Sequence, residues 1–412
     1  MTPPARAPSA AELAEARYLA TPRAIRDRAE TVYGLGLRGA LEHFAIDEAR
    51  LPALVARVVD VTRAAYPDVR AIPDHTRFRH FGVGGVDRVA QMDRRLGNVS
   101  AEERLRVKIE LAISSVLLDA GAGDRWSFHE AGVDGGTYAR SEGLAVASYH
   151  LYASGALSDD RANAPFRADA GALARFSEEA LAKAFQVTVD NPLVGLSGRV
   201  EIVRRLGEAV GQRSDVFAGR RLGDLGPYLA SQARDGALPA TAVLGAVIDG
   251  LGQIWPGREV CGGKSLGDVW THPAVGRVPF HKLSQWLTYS VCEPLEQSGL
   301  RVTGKNELTG LAEYRNGGLF VDGGVLVPKH AGVLAEIHDV SSPVIVEWRA
   351  LTIALLDRTA AEMRSQLALS ADELPLAAVL EGGTWRTGRV LAKERRPDGG
   401  PPIRVNSDGT VF

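Results

Sequence analysis

From Ser342 to Asp357 the chain reads S-P-V-I-V-E-W-R-A-L-T-I-A-L-L-D, which is the clearest structural signal in its 412 residues. A serine followed by proline is a typical helix start, because the serine side chain can cap the first turn and proline fits the first helical position. Apolar residues then continue for about four turns and are interrupted only by a few polar ones. The stretch therefore predicts a long amphipathic helix.

Other segments on both sides of this one also carry helix starts. Ser100-Ala101-Glu102-Glu103 has the spacing of a capping box, and Ser177 precedes two acidic residues. Strand signals are few and short, and they lie at residues 318–322, 324–328 and 401–412. The last of these segments resembles a hairpin with its turn at Ser407-Asp408-Gly409. The sequence predicts a mainly α protein with small β additions. We expect residues 1–15 to be frayed or disordered and residues 16–412 to form a single, mainly helical catalytic domain.

The composition excludes several classes of protein. The chain is 45% hydrophobic and 24% charged, as ordinary globular proteins are, and its formal charge of −2 gives no basic surface for a nucleic-acid polymer. The N-terminus lacks the apolar core of a signal peptide, and no apolar run reaches the length of a membrane helix. Two cysteines, Cys261 and Cys292, provide neither a disulfide framework nor a metal-ligand spacing. We therefore expect a cytoplasmic protein that acts on a small molecule.

A first group of charged and aromatic residues lies between positions 119 and 126. Asp119, Asp124 and Arg125 surround alternating glycine and alanine, with Trp126 beside them as a candidate ligand wall. A helix end followed by a salt-bridged loop explains the same pattern. His80, in an alternation of basic and aromatic residues, is a candidate polar contact, although a lone histidine is more often structural.

A second group is the run Arg140-Ser141-Glu142. These residues would stand at the N-terminus of a helix, where backbone N–H groups and a hydroxyl can bind an anion or a sugar hydroxyl. Simple capping of the helix by Ser141 is the alternative, and the spacing alone favours it.

The richest region runs from His272 to Asp322. A hairpin punctuated by Pro and Gly leads into a helix with His281 and Lys282 at its start, although a lysine there can also be a plain solvated residue. The run Glu313-Tyr314-Arg315-Asn316 follows, and two glycine pairs come next. Paired glycines disfavour a helix, so we interpret this segment as a turn that lets the backbone approach a ligand closely. The order of hairpin, lysine and carboxylate resembles the helix-hairpin-helix glycosylases, in which the carboxylate points into a cleft between two helical lobes.

Several longer motifs together resemble one family. They are S114-S-V-L-L-D-A-G-A-G-D-R-W126, S141-E-G-L-A-V-A-S148, F185-Q-V187, N191-P-L-V-G-L-S-G-R199, L308-T-G-L-A-E-Y-R-N-G-G-L-F-V-D322, E381-G-G-T-W385 and the closing S-D-G-T-V-F. By these motifs, over nearly its whole length, the chain is identified as a member of the uracil-catabolism protein 4 family (domain of unknown function 1688). The resemblance implies a route that passes from a uracil nucleotide through ring opening to a ribosylurea species and ends in urea and a ribose phosphate.

A fainter resemblance suggests a mechanism. The motifs P279-F-H-K-L-S-Q-W286, A312-E-Y-R-N316 and S341-S-P-V-I-V-E-W-R349 are similar in order and spacing to those of the queuosine salvage nucleotide glycosidases, which are helical and hydrolyse an N-ribosidic bond. Lys282 matches the lysine of that family, whereas Glu313 stands where the family has an aspartate before Tyr-Arg. This resemblance and the one to the helix-hairpin-helix glycosylases together imply a two-lobed, helix-hairpin-helix fold related to DNA glycosylases.

The implied chemistry determines the role expected of each residue. Positive charge develops on the sugar as the leaving nitrogen departs, and a fixed carboxylate stabilises this charge and can take a proton from water. We expect Glu313 to be that carboxylate, Lys282 to assist it and Asp322 to contact the ribose hydroxyls as a second carboxylate. The other substrate contacts that we expect are Tyr314, Arg315, Asn316, His281, Arg140, Ser141, Glu142, Trp126 and His80. The scheme requires no cofactor and no metal.

Two other functions stay open at this point. One is an amidohydrolase or lyase that attacks the ring-opened pyrimidine nucleotide. The other is a non-catalytic nucleotide-binding subunit that serves the other enzymes of the pathway. The sequence does not determine which group departs from the ribose, whether a 5′-phosphate is required, or the oligomeric state.

Overall fold

Helices form most of the chain, and the mainly α prediction is confirmed. A computed structural model describes residues 7–132, 136–255 and 257–406. These residues divide into two compact units, one within Met1–His75, Gly257–Lys282 and Gly304–Asn406, and the other within Thr76–Pro256 and Leu283–Thr303. None of the described helices is both long and apolar enough to cross a membrane.

The first unit is built around one central helix. Its α-helices are Ala10–Leu19, Pro22–Leu37, Leu51–Ala65, Tyr314–Asp322, Gly332–Ala335, Pro343–Leu367, Leu376–Ala378 and Trp385–Arg395. A π-helical turn, Val379–Thr384, joins the last two, and short 3₁₀ turns lie at Glu48–Arg50, Val69–Ala71 and Lys305–Glu307. Helix Lys282–Gln297 has only its first residue in this unit.

The predicted helix after Ser342 is the central one. It spans Pro343–Leu367, and the Ser342 hydroxyl accepts the backbone N–H of Ile345 at 3.4 Å, as the capping signal predicts. Every residue from Val344 to Leu356 is buried, so the expectation of a one-sided, amphipathic helix is wrong for this half. Polar residues within it are buried too, and they must therefore find partners inside the protein.

Four two-stranded sheets belong to the first unit. The antiparallel pairs are Phe44–Ile46 with Leu326–Pro328, Val260–Cys261 with Lys264–Ser265, and Val269–His272 with Gly276–Pro279. The last pair is the hairpin predicted before Lys282. Strand Arg404–Asn406 pairs in parallel with Ile337–Asp339, so its partner is a distant strand. The turn predicted at Ser407-Asp408-Gly409 lies outside the described residues.

The second unit is helical with two small sheets. Its α-helices are Arg77–Phe81, Arg88–Leu96, Ala101–Leu117, Arg140–Ala153, Ala170–Ala174, Glu178–Ala184, Leu196–Gln212, Leu225–Ser231 and Ala240–Leu251, with 3₁₀ turns at Val83–Gly85, Leu222–Asp224 and Gly252–Ile254. Strand Ser127–His129 pairs antiparallel with Thr137–Ala139, and Ala237–Pro239 pairs in parallel with Arg301–Thr303. The helix starts predicted at Ser100 and Ser177 are confirmed, since each hydroxyl accepts a backbone N–H of the first turn.

Two local predictions are wrong. Residues 10–15, expected to be frayed, lie in helix Ala10–Leu19, because Ser9 and Glu12 form a complete capping box. Residues 318–322, read as a strand, are the second half of helix Tyr314–Asp322. Whether the two units act together as one catalytic domain stays a prediction.

Candidate functional site

Glu313 is the residue that starts the helix Tyr314–Asp322. Its backbone is extended, and its two carboxylate oxygens accept the N–H groups of Arg315 at 2.8 Å and of Asn316 at 2.6 Å. The carboxylate thus satisfies two of the backbone donors that a helix leaves unpaired at its N-terminus. Because the side chain is 7% exposed, this carboxylate is both buried and fixed in orientation.

Burial controls the protonation of this group. Removal from water raises the pKa of Glu313, while the charge of Lys282 and the hydrogen bonds from the Arg315 and Asn316 N–H groups counteract part of that increase. Lys282 is itself buried. A buried carboxylate with a raised pKa beside a buried ammonium is an arrangement typical of groups that move a proton or stabilise a developing charge.

Lys282 begins its helix after a strained residue. His281 has a φ of 46°, which is unusual for a residue other than glycine. Its ring Nε2 lies 2.9 Å from the Leu19 carbonyl oxygen, and burial lowers the pKa of the ring, so the neutral imidazole donates to that carbonyl. This contact ties the entrance of the helix to the rest of the first unit. The imidazole, expected to bind substrate, therefore has a structural partner.

Asp268 receives the backbone of Lys282. Its Oδ2 accepts the Lys282 N–H at 3.0 Å, and its Oδ1 accepts the indole N–H of Trp270 at 2.7 Å. Arg349 from the central helix donates to both carboxylate oxygens at 2.7 Å. Burial alone would raise the pKa of Asp268, but the charge of Arg349 and these hydrogen bonds outweigh it and lower the pKa, so Asp268 is an anion.

The three residues after Glu313 differ in their surroundings. Tyr314 is half-buried beneath the guanidinium of Arg315, which lies 5.0 Å from the ring centroid. Arg315 donates to the Gly399 carbonyl at 2.7 Å. Asn316 is fully buried, and its amide is satisfied there: the nitrogen donates to the Leu311 carbonyl and the oxygen accepts from the Thr384 hydroxyl at 2.8 Å. Arg315 and Asn316, predicted as substrate contacts, therefore bind other parts of the protein.

The glycines of this segment allow close packing between helices. A Cβ built on Gly317 would lie 2.7 Å from the Trp348 indole, and one on Gly388 would lie 2.3 Å from the Arg315 carbonyl oxygen. Such distances leave no room for any side chain at either position. Gly317, in the pair expected to admit a ligand, instead lets helix Tyr314–Asp322 pack against the central helix, and Gly388 lets helix Trp385–Arg395 pack against it.

Asp322 stands at the other end of the same helix, about 12 Å along the axis from Tyr314 at 1.5 Å per residue. Arg396 donates to both of its carboxylate oxygens, at 2.8 and 2.5 Å. The structure does not bring Asp322 to Glu313, and the expected role as a second catalytic carboxylate has no support in this geometry.

We expect Asp322→Asn to reduce stability rather than turnover. The substitution leaves Arg396 without its anion, and for a pair that is partly exposed the loss is about 2 kcal/mol of unfolding free energy. Urea unfolding and steady-state kinetics on the same preparation would measure both effects. A large fall in kcat at unchanged stability would instead show that Asp322 takes part in the reaction.

The remaining candidates belong to the second unit. Trp126 is a core residue, because its indole N–H donates to the Phe185 carbonyl at 2.9 Å and its ring stacks on the Phe185 ring. Its predicted role as a ligand wall is therefore replaced by a packing role. His80 is buried, with its ring edge-on to Trp286 at 5.6 Å between centroids.

Ser141 neither caps its helix nor points at an open helix end. Its hydroxyl donates to the Asp119 carboxylate at 2.6 Å, and the fully buried Arg77 donates to the same carboxylate at 2.7 Å. Arg140, with a φ of 55°, and Glu142 flank it, and both are half-buried. The structure thus brings residues of the two predicted groups, 119–126 and 140–142, into one polar cluster.

Three residues near Glu313 were missed by the sequence reasoning: Asp268, Arg349 and Thr384. Arg349 offered a signal, because an arginine inside a long apolar helix is buried and so requires a partner. The identity of that partner is not a local property of the sequence. In the described parts of the chain, no three His, Cys, Asp or Glu side chains come together in a way that could hold a metal ion.

Comparison with known proteins places these residues in a family. The family model described as "Protein of unknown function (DUF1688)" matches residues 18–412. The chain belongs to this family. The resemblance inferred from the sequence motifs is thereby confirmed, and the DUF1688 match covers every candidate residue named above.

Two relatives of this DUF1688 chain are similar over nearly their whole length. Protein urg3 of Schizosaccharomyces pombe (strain 972 / ATCC 24843) is 40% identical over 400 residues, which cover 94% of this chain and 96% of that protein. Uracil catabolism protein 4 of Lachancea kluyveri is 36% identical over 412 residues, which cover 91% of this chain and 93% of that protein.

Proposed function

We propose that this protein is an N-ribosyl hydrolase of uracil degradation. It cleaves a ureido-ribose 5-phosphate of the ribosylurea type, or a related pyrimidine nucleotide, to urea or base and ribose 5-phosphate. The observation that carries the proposal is the buried Glu313 carboxylate, which two backbone N–H groups hold in place and whose pKa the charge of Lys282 lowers. The name of one relative, uracil catabolism protein 4, supports the pathway.

The chemistry uses Glu313 in its ionised form. Its carboxylate faces the C1′ carbon, stabilises the positive charge that develops on the ribose and accepts a proton from the attacking water. A fixed charge of this kind, in a site poor in water, lowers a barrier by about 3 kcal/mol. Lys282 opposes the rise in the pKa of Glu313 that burial causes, which favours the ionised form, and offers its ammonium to the substrate phosphate. Tyr314, which is half-buried, is the neighbour best suited to contact a ribose hydroxyl.

Two features extend the proposal beyond Glu313. The order of hairpin Val269–Pro279, Lys282 and a helix capped by Glu313 supports the helix-hairpin-helix, glycosylase-like fold that the sequence resemblance implies. The cluster of Arg140, Ser141 and Glu142 in the second unit is polar and buried enough to bind sugar hydroxyls, and it stays a predicted binding site.

The reaction is tested by its products. Purified protein is incubated with ribosylurea 5′-phosphate, with uridine monophosphate and with ring-opened derivatives of that nucleotide, and NMR follows urea and ribose 5-phosphate. Release of ribose 5-phosphate supports the proposal. A product that retains the bond between ribose and nitrogen would favour an amidohydrolase or lyase, and binding without turnover of any compound would favour a nucleotide-binding subunit.

The acid limb of the pH–rate profile provides a second test, through Lys282→Met. Activity requires ionised Glu313, so kcat/KM falls as the pH drops through the pKa of this group. Lys282 lowers that pKa, and its removal therefore moves the acid limb to higher pH. We also expect roughly a tenfold loss of kcat/KM at neutral pH. The exposed Lys393→Met is the control, and an acid limb that stays in place or moves to lower pH would contradict this role.

A further inference from the structure

The carboxylate of Asp268 organises the entrance to helix Lys282–Gln297. Its side chain accepts the Lys282 N–H, while its backbone carbonyl accepts the N–H of Phe280 at 2.9 Å and of His281 at 3.4 Å. Three successive residues are thus held by one aspartate that precedes them by 12 to 14 positions. Asp268 immediately precedes the hairpin strand Val269–His272. The start of the helix is therefore attached to the hairpin and not only to its own first turn.

The guanidinium of Arg349 carries this attachment to Glu313. It binds Asp268 through both terminal nitrogens, and its Nε donates to the Ala312 carbonyl at 3.2 Å. Ala312 immediately precedes Glu313 in the chain. The flat guanidinium also lies 4.1 Å from the centroid of the Phe280 ring, and its side chain is 1% exposed. One side chain therefore contacts the segments that lead into Lys282 and into Glu313.

We infer that the Asp268–Arg349 pair is a positioning device that sets Lys282 at a fixed place relative to Glu313. The inference rests on the proposed function, because it concerns the two residues to which that function gives the chemistry. Two parallel N–H···O bonds fix the plane of the guanidinium as well as its distance, which a single point charge does not do. Neither Asp268 nor Arg349 needs to touch the substrate.

A purely stabilising ion pair would be placed differently. Arg358, nine residues further along the same central helix, makes such a pair: it donates to both oxygens of Glu30, at 2.7 and 2.9 Å, and lies over the Tyr33 ring. None of these contacts involves the segments next to Lys282 or Glu313. Arg358 is therefore a control with the same residue type, helix, bidentate geometry and aromatic neighbour, and it differs in being 32% exposed.

The test compares Arg349→Lys with Arg358→Lys. A lysine at 349 keeps a cation for Asp268 but loses the planar fork and the Nε–H that reaches Ala312. We expect kcat to fall by about tenfold to a hundredfold with KM changed by less than about twofold, because a misplacement of about 1 Å costs that much in rate. Arg358→Lys is expected to leave both constants unchanged.

A second readout does not depend on turnover. In protein labelled with ¹³Cδ-glutamate, the Glu313 signal is identified by its absence from Glu313→Gln, and its titration is followed in each variant. If Lys282 moves away in Arg349→Lys, the pKa of Glu313 rises, as it does in Lys282→Met. In the double variant Lys282→Met/Arg349→Lys the rise equals that of Lys282→Met alone, because the second change acts through the first.

The outcomes separate the two proposals. Absence of hydrolysis by the wild type refutes the proposed function, whereas the titration still decides the positioning role. Activity and titration in Arg349→Lys that match those of Arg358→Lys refute the positioning role alone. If Arg349→Lys does not fold, Asp268→Asn/Arg349→Gln replaces it, since removing both charges leaves no buried charge unpaired, and the same fall in kcat and rise in the pKa of Glu313 are expected.

Discussion

Replacement of Glu313 by glutamine is expected to lower the rate of ribose 5-phosphate release about a thousandfold, with KM little changed. Glutamine has the same shape and still accepts a backbone N–H at the start of the helix, so the fold is preserved. It carries no charge to stabilise the ribose cation and takes no proton from water, and each of these contributions is typically worth about 10² or more in rate. Single-turnover NMR with ribosylurea 5′-phosphate measures the loss.

The control for this experiment is Glu347→Gln. Glu347 is a buried glutamate of the same unit whose two oxygens also accept backbone N–H groups, from Glu42 at 3.2 Å and His43 at 3.1 Å. We expect this variant to keep its rate within about threefold of the wild type, because substitution of a buried carboxylate by itself does not remove the charge at C1′. Equal losses in the two variants would show that Glu313 acts on the fold and not on the reaction.

The second large effect concerns stability and lies in the second unit. Arg221→Met is expected to lower the free energy of unfolding by about 4 kcal/mol, because it leaves a buried carboxylate uncompensated. Arg221 donates to both oxygens of Glu110, at 2.6 and 3.0 Å, and Glu110 is fully buried. Tyr152 and the Gly223 N–H also donate to this carboxylate, but neither carries a charge.

The pH dependence of this loss has a definite sign. Burial raises the pKa of Glu110 and Arg221 counteracts it, so without Arg221 the pKa in the folded protein lies higher still. The folded state then holds a proton that the unfolded state releases, and stability falls as the pH rises above the ordinary value of a glutamate. The deficit of Arg221→Met should therefore be larger at about pH 7.5 than at about pH 5.5.

Urea unfolding of the full chain at both pH values checks this prediction. Arg175→Met is the control, since Arg175 is 74% exposed and its pair with Asp159 is worth at most about 1 kcal/mol. A deficit in Arg221→Met no larger than that of the control, or one that grows toward acid pH, would contradict the role given to Glu110.

Local signals in the sequence predicted much of the secondary structure. The serine caps at Ser100, Ser177 and Ser342 and the hairpin before Lys282 are properties of a few neighbouring residues, and each is found in the structure. The helix after Glu313 was missed for a physical reason. Glutamate is not among the preferred capping residues and paired glycines weaken a helix, so only tertiary packing explains it.

The candidate site was predictable in part. Glu313 and Lys282 could be named from motifs, because each stands in a recognisable run of residues. The ion pair of Asp322 could not be foreseen because its partner Arg396 lies 74 positions away, and Asp268 was missed because Arg349 lies 81 positions away. Nothing in the spacing along a chain shows which of several arginines a buried carboxylate will meet.

The two glycine contacts of helix Tyr314–Asp322 also bear on how this family can diverge. At Gly388 a neighbouring helix lies directly against the Arg315 carbonyl of this helix, and at Gly317 the Trp348 indole lies directly against the backbone of this helix. A layer of side chains can be exchanged for others of similar volume, whereas direct backbone contact offers nothing to exchange. New specificities can therefore arise by substitutions elsewhere around the ligand, while the carboxylate at the start of this helix keeps its position.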